Sequence, residues 1–241
     1  QIPVCTSMNT TWYRADGSAS GKSAPEEGVQ VKLHTLAQTI SCHAWNGNQS
    51  LLAICANNSE IVLYENGSGS ELSKVATLKE HTQIVSGLHW APRSNQLLSC
   101  SHDRNAFVWK QSASGWDPVL VVLRLNRAAL CAKWSDSEKK FAIGSGAKTV
   151  CVCYYEEDND WWVSKHIKKR HSSSVLDVAW HPNNVVLATT SSDFKCRVFS
   201  AFVKGVDAKP DAEHIGAVDK FGEPLLELDC AHGWAQSVTW S

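Results

Sequence analysis

The sequence predicts an all-β propeller, of which about four to five blades lie within its 241 residues. Three observations carry that prediction. His81, Trp90, Ser99, Asp103 and Trp109 return as His171, Trp180, Thr189, Asp193 and Phe199, each displaced by 90 positions. Degraded copies stand at half that interval: Trp134 lies 44 residues after Trp90 and 46 before Trp180, and Tyr154 lies 45 from both Trp109 and Phe199. Trp45 and Tyr64 mark one earlier copy. Between the landmarks, short β-branched and aromatic runs alternate with clusters of Pro, Asn, Asp, Ser and Gly, the pattern of strands and tight turns. A period of about 45 residues holding four such strands is one propeller blade.

Residues 1–29 stand outside the repeat, and their GSASGKSAPEEG stretch reads as flexible linker. Gly21-Lys22-Ser23 resembles the tail of a phosphate-binding loop, but the glycine spacing before it is wrong and no apolar helix follows. From Val31 strands are expected, in a propeller segment over 30–241 with repeats at roughly 34–78, 81–125, 126–170 and 171–229. In the second repeat the strands fall at Ile84–Trp90, Gln96–Ser101, Ala106–Lys110 and Trp116–Leu125, parted by Ala91–Asn95, His102–Asn105 and Ser112–Gly115. The fourth repeats this grammar with strands at Val175–Trp180, Val185–Thr190 and Lys195–Phe199, then loses the rhythm in an inserted loop, 200–229. Trp240, 60 residues after Trp180, marks the start of a further repeat at 231–241.

Composition narrows the function. A formal net charge of −1 gives no overall pull toward nucleic acid or anionic membrane, and neither is expected as a partner. No apolar run reaches the roughly 18 residues that span a bilayer. Eleven tryptophans against one methionine suit half-buried sheet surfaces. Gln1–Thr11 lacks the basic flank and apolar stretch of a signal peptide, and the absence of an initial Met leads us to expect a fragment or processed product. Nine cysteines, several inside expected strands (Cys42, Cys100, Cys131, Cys151, Cys153), read as small buried hydrophobes of a reducing compartment. Cys151-x-Cys153 has no second pair at zinc spacing, so no metal is expected. The sequons at Asn9, Asn48, Asn57 and Asn66 are attributed to chance.

Ser99, His81 and Asp103 are the residue types of a nucleophilic triad. A hydrolase would need an exposed Ser on a strained turn; here there is no G-x-S-x-G, and Ser99 lies mid-strand between Leu98 and Cys100. A structural role explains more. A chain from the Trp109 indole to Ser99, His81 and Asp103 would satisfy each buried polar group. His171, Thr189 and Asp193 repeat it, with Phe199 unable to donate; Asn58 and Lys148 occupy the Asp slot in the other copies. Such erosion suits scaffolding and would destroy a catalytic set.

SHDRNAFVW (Ser101–Trp109) and SSDFKCRVF (Ser191–Phe199), each preceded by its His, resemble the WD-repeat family. Trp109 is followed by Lys110, so the two letters of that name are not literally present. The resemblance implies a propeller, usually of seven blades, that binds proteins without catalysis. CHAWN (Cys42–Asn46), DRNAFVW (Asp103–Trp109), DWWVSKHIKK (Asp160–Lys169), WHPNN (Trp180–Asn184) and DFKCRVFSAFVKGVD (Asp193–Asp207) are more specific. They resemble the family of WD-repeat subunits of the actin-related protein 2/3 complex over about residues 31–209. What this implies is a non-catalytic cytoplasmic subunit on the actin cytoskeleton that supports nucleation of branched filaments. Its partners would be the other subunits of that complex, the actin filament and nucleation-promoting factors, with no cofactor. An adaptor for another cytosolic assembly is the alternative. A propeller left open exposes strand edges, so residues 1–241 alone are expected to make a poorly behaved monomer.

The densest basic run, Lys165-His166-Ile167-Lys168-Lys169-Arg170-His171, follows the acidic Glu156–Asp160. It is read either as a solvated hairpin with strands of opposite sign or as a docking patch for acidic surfaces, through Lys165, Lys168, Lys169 and Arg170. Arg104, Phe194 and Lys195 flank the template Asp residues in turns that should line one propeller face, with Arg127 nearby. These make up the expected interaction surface.

Overall fold

Strands of five to seven residues with two buried faces dominate the computed structural model, which describes residues 4–6 (backbone only), 34–67, 71–208, 218–230 and 233–240. The first blade is a four-stranded antiparallel sheet of β2 (Cys42–Trp45), β3 (Leu51–Cys55), β4 (Ile61–Asn66) and β5 (Leu72–Leu78). The second holds β6 (Val85–Trp90), β7 (Leu97–Ser101), β8 (Ala106–Ser112) and β9 (Gly115–Val121). The third holds β10 (Ala129–Trp134), β11 (Lys140–Ser145), β12 (Val150–Glu156) and β13 (Trp161–Ile167). The fourth holds β14 (Val175–Trp180), β15 (Val186–Ser191), β16 (Lys195–Ser200) and β17 (Pro224–Asp229). Sheet order equals chain order in all four, as hairpin-connected meanders require. The fold is a partial WD40-type β-propeller.

Blades stack because the second strand of a blade is buried on both faces. Every residue of β7, β11 and β15 is buried. Alternate side chains then serve opposite neighbours. Leu97 packs with Ala53 and Leu63 of the first blade, whereas Leu98 packs with Trp134 and Ile143 of the third. Ala142 and Val152 of the third blade meet Leu187 and Phe199 of the fourth. Each fully buried aliphatic or aromatic side chain contributes about 1.5–3 kcal/mol. The outward face of β2 has no such cover among the described residues, and Trp45 is 41% exposed there.

Polar latches fix the stacking. The indole N–H groups of Trp90, Trp180 and Trp240 donate at 3.0 Å to Ala44 O, Lys133 O and Ala179 O of the preceding blade. Trp134 departs from this. Its backbone N–H donates to His89 Nδ1 at 3.1 Å, and its indole turns into an edge-to-face cluster with Phe141 and Trp162. The Trp134 and Trp162 indole N–H groups have no hydrogen-bond acceptor among the described residues and lie against aromatic rings instead. At the turns between first and second strands, Asn46 donates to Asn95 Oδ1 at 2.9 Å, and Ser137 N to Asn184 Oδ1 at 2.8 Å. The carboxylate of Glu138 takes the Arg93 and Ser94 N–H groups.

Several expectations are corrected. Residues 34–41 carry no strand, so the strand expected from Val31 begins at Cys42 among the described residues. The loop expected over 200–229 ends in β17, whose Arg197↔Glu227 and Lys195↔Asp229 pairs put opposite charges across the strands and favour pairing. Pro224 is tolerated at the start of this edge strand. Residues 4–6, within the 1–29 segment expected to be flexible or unrelated to the repeat, form β1 (Val4–Thr6), paired antiparallel with β18 (Ser237–Thr239). Val, Cys and Thr are strand formers, a local signal that the surrounding linker composition masked. Gly21-Lys22-Ser23, the Asn9 sequon, and parts of the 200–229 and 231–241 segments lie outside the described residues. The Trp109 slot of the third blade is filled by Cys153, not Tyr154: Phe141↔Cys153 matches Leu97↔Trp109. A one-residue slip exchanges faces, so Cys153 is buried while Tyr154 is half-buried on the opposite face.

Candidate functional site

The turns between second and third strands, and the loops entering each blade, gather on one face of the propeller. In the second blade that face is built on a buried polar chain. Trp109 Nε1 donates to Ser99 Oγ at 2.9 Å, Ser99 Oγ lies 2.8 Å from His81 Nε2, and His81 Nδ1 lies 2.8 Å from Asp103 Oδ2. Since Ser99 accepts from the indole, it donates its own proton to Nε2, and Nδ1–H donates to the carboxylate. Asp103 also accepts from Thr82 N (3.0 Å) and Asn105 N (2.9 Å), which closes the turn. Burial pushes the Asp103 carboxyl up, but the Thr82 and Asn105 N–H groups and His81 outweigh it and hold its pKa below the usual range. Burial pulls His81 down against the attraction of Asp103, so the imidazole is neutral.

The fourth blade solves the same problem with different residues. Thr189 Oγ1 lies 3.1 Å from His171 Nε2, but His171 Nδ1 is 3.9 Å from Asp193 Oδ2. Arg197 stands between them. Its NH1 lies 3.0 Å from His171 Nδ1 and donates to Asp193 at 2.9 Å, while Nε donates to Glu227 at 2.8 Å. Arg197 occupies the register position of Phe107, which in the second blade packs edge-on against His81 at 4.9 Å. Phe199 offers Thr189 no indole donor, as expected; the guanidinium instead bridges the other end of the chain, between His171 and Asp193. Arg197 and Glu227 were not among the residues expected at the site, because Glu227 falls in the segment expected to be a loop and meets Arg197 only through the β16–β17 pairing.

In the first blade Asn58 Oδ1 takes Glu60 N at 3.0 Å, as Asp103 takes Asn105 N. In the third blade the Asp slot falls on Ala147, not Lys148. Ser145 pairs with Ala129 as Ser101 pairs with Val85, and each slot lies two residues further on. Lys148 instead shares the left-handed turn position of Arg104 and Phe194, with φ of 57°, 73° and 68°.

Of the expected surface residues, Lys168, Lys169 and Arg170 are exposed in the loop between β13 and β14. Gly146 lies within reach of Arg127, so Arg127 joins the same edge beside Lys148. Phe194 is 49% exposed at its turn tip, and Trp234 is 58% exposed. Lys195 is different: Glu227 and Asp229 hold its ammonium and raise its pKa, so the chain neutralises that charge itself. Lys165 lies along β13 with its ammonium 5.3 Å from the Phe221 ring centroid. The acidic 156–160 segment is the turn joining β12 to β13, at the opposite end of β13 from Lys168. The hairpin with strands of opposite sign is therefore corrected to a blade with opposite charges at its two ends. At the acidic end a cleft of about 760 Å³ is lined by Tyr155, Glu157, Asp158, Lys139 and Lys204.

Burial depresses His89 to about 3 and, together with Arg197, His171 to about 4. Both stay neutral when folded and gain a proton more readily when unfolded. Their stabilisation is full above the unfolded value near 6.5. It falls as pH drops from there toward 4 and 3, by about 1.4 kcal/mol per unit for each group. A thermal melt taken from pH 7 to pH 4.5 is expected to show a steady fall in Tm, and His89→Asn, which keeps an acceptor for Trp134, to flatten it. An unchanged slope in the variant would remove His89 from the account.

These paired His–Asp turns on four-stranded blades define a WD-repeat propeller. The family described as "WD domain, G-beta repeat" matches residues 72–110 and 162–200, each match running from an outer strand through the next three. The chain thus carries WD40 repeats on a partial propeller. It is 55% identical over 88% of its length to "Actin-related protein 2/3 complex subunit 1A" of Arabidopsis thaliana, of which it covers 56%. Against "Actin-related protein 2/3 complex subunit 1A-B" of Xenopus laevis the identity is 50%, with 88% of this chain and 58% of the relative covered. Against "Actin-related protein 2/3 complex subunit 1" of Schizosaccharomyces pombe it is 42%, with 87% and 55% covered. The chain thus spans a little over half the length of the curated relatives it matches.

Proposed function

We propose that this chain acts as a non-catalytic propeller subunit of an actin-related protein 2/3 complex, in the cytoplasm on the actin cytoskeleton. In this reading it supports nucleation of branched filaments by contacting other subunits, the filament and nucleation-promoting factors. The observation that carries the reading is the 55% identity across 88% of the chain to a subunit of that name. Chemistry supports the scaffold role. Ser99 is fully buried with its hydroxyl already engaged by Trp109 and His81, so no substrate reaches it.

Partner contact is assigned to the face carrying Arg104, Arg127, Lys148, Lys168, Lys169 and Arg170. None of these cations has an ion-pair partner among the described residues, so their field is available to an acidic surface. Tagged full-length protein recovered with the complete complex is the expected result; recovery with a different protein set would replace the reading by the adaptor alternative. Reversing Arg104, Arg127 and Lys169 to Glu is expected to slow association with an acidic partner about tenfold at low salt, and less at high salt. An unchanged rate would move the contact elsewhere.

A further inference from the structure

One register position at the inner edge of each blade can be compared four times within this chain. Cys42 faces Cys55 in the first blade, Gly87 faces Cys100 in the second, Cys131 faces Gly144 in the third, and Asp177 faces Thr190 in the fourth. In the second and third blades a single sulfur fills the space. A Cβ on Gly87 would stand 2.8 Å from Cys100 Sγ, and one on Gly144 would stand 2.6 Å from Cys131 Sγ. The first blade puts two thiols where its neighbours hold one thiol and a hydrogen.

Directly opposed residues of an antiparallel pair have Cβ atoms about 4.5–5.5 Å apart, and a disulfide needs about 3.5–4.5 Å. A small inward movement closes that gap. Cys42 is partly exposed and its Sγ donates to Val85 O of the second blade at 3.4 Å; Cys55 is buried and donates to Asn58 O at 3.0 Å. We propose that Cys42 and Cys55 are a redox pair that forms a reversible disulfide on exposure to a peroxide.

The two thiols are unlike. The Cys42 thiol stabilises a Cys55 thiolate, outweighing burial and pulling its pKa to about 5, while Cys42 is pushed upward. Cys100, alone in its space, is pushed up by burial to about 12, and Cys131 is also raised by burial. The Cys55 thiolate is therefore the nucleophile and the Cys42 thiol the resolving group. Cys55 attacks the peroxide; the O–O bond breaks, one oxygen stays on Cys55 as a sulfenic acid, and the other leaves as water with a proton from solvent. Cys42 then attacks the Cys55 sulfur; the S–O bond breaks and the hydroxyl leaves as a second water with the Cys42 proton. Two thiols lose two electrons in all, and one peroxide becomes two waters. The bond takes the Cys42 S–H away from Val85 O, so oxidation acts on the junction of the first two blades. Ser41 Oγ, 2.8 Å from Val85 O, is left to hold it.

The test is brief hydrogen peroxide treatment of the full-length protein purified reduced, then alkylation and peptide mapping by mass. A cross-linked peptide joining Cys42 to Cys55, lighter by two hydrogens and restored by dithiothreitol, is the expected result. It should vanish in Cys42→Ser and in Cys55→Ser, each checked for an unchanged melting curve. Should either variant fail to fold, mapping of the parent protein alone decides. Alkylation of both residues after treatment, separate oxygen adducts on each, or a bond from either to another cysteine would each overturn the proposal.

Discussion

Replacing Asp207 by Ala is expected to lower the stability of the fold by about 3–5 kcal/mol, an unusually large effect for a residue in a loop. Its carboxylate lies 2.5 Å from the ammonium of Lys140, whose side chain is fully buried. Lys140 reaches from the third blade across to Ala201 O at 2.9 Å and lies 5.1 Å from the Trp180 ring centroid. Burial depresses the pKa of Lys140, and the hydrogen bond and charge of Asp207 oppose that fall. Without Asp207 the ammonium must be stranded or lose its proton; both cost stability. Asp207 also takes Val203 N at 2.7 Å, so the loop after β16 loosens as well. Lys140→Met removes the buried charge instead of stranding it and should cost clearly less. Denaturant unfolding of both variants reads the difference, and equal losses would mean that the pair is packing alone.

The second large effect is expected at Arg197. Arg197→Phe removes the cation joining His171, Asp193 and Glu227 and should cost about 3 kcal/mol, because Asp193 is left buried without it. The second blade already shows how to repair this loss. There Phe107 and Trp109 stand where the fourth blade has Arg197 and Phe199, and His81 meets Asp103 directly. Adding Phe199→Trp supplies an indole donor for Thr189 and should recover more than half of the loss. Equilibrium unfolding of the single and double variants makes the comparison. A double variant no better than the single would show that the two blades are not interchangeable frames.

Blade membership of the tryptophans is legible in the chain itself. Trp45, Trp90, Trp134 and Trp180 each close the first strand of a blade, opposite Leu52, Leu97, Phe141 and Leu187. Their spacing suffices because a large aromatic at a fixed strand end leaves a periodic mark. The fourth strand of the last full blade is not legible. Only its own hairpin partner reveals that PLLELD is strand and not loop, since Glu227 and Asp229 look like solvated surface until Lys195 and Arg197 stand opposite. Tyr154 misleads for a related reason. Equal spacing counts residues, whereas hydrogen-bonded register decides which face each one takes.

The candidate site divides along the same line. The template His, Ser or Thr, and Asp are readable as a set, because burial forces polar side chains to recur together. Which charges remain available to a partner is not readable. Lys195 and Lys169 look alike in the chain, yet Lys195 is held by Glu227 and Asp229, and Lys169 is exposed in a loop. The repeat, the blade count within this segment and the kinship with WD-repeat subunits are all contained in the order of residues, since periodic apolar burial and long specific motifs are local properties. That Arg197 completes a network, that Lys140 is buried and that Cys42 faces Cys55 emerge only in the folded molecule. Those outcomes depend on strands that are distant or merely adjacent in the chain meeting at one register, and neither the energy of a buried charge nor the contact of two sulfurs exists until they do.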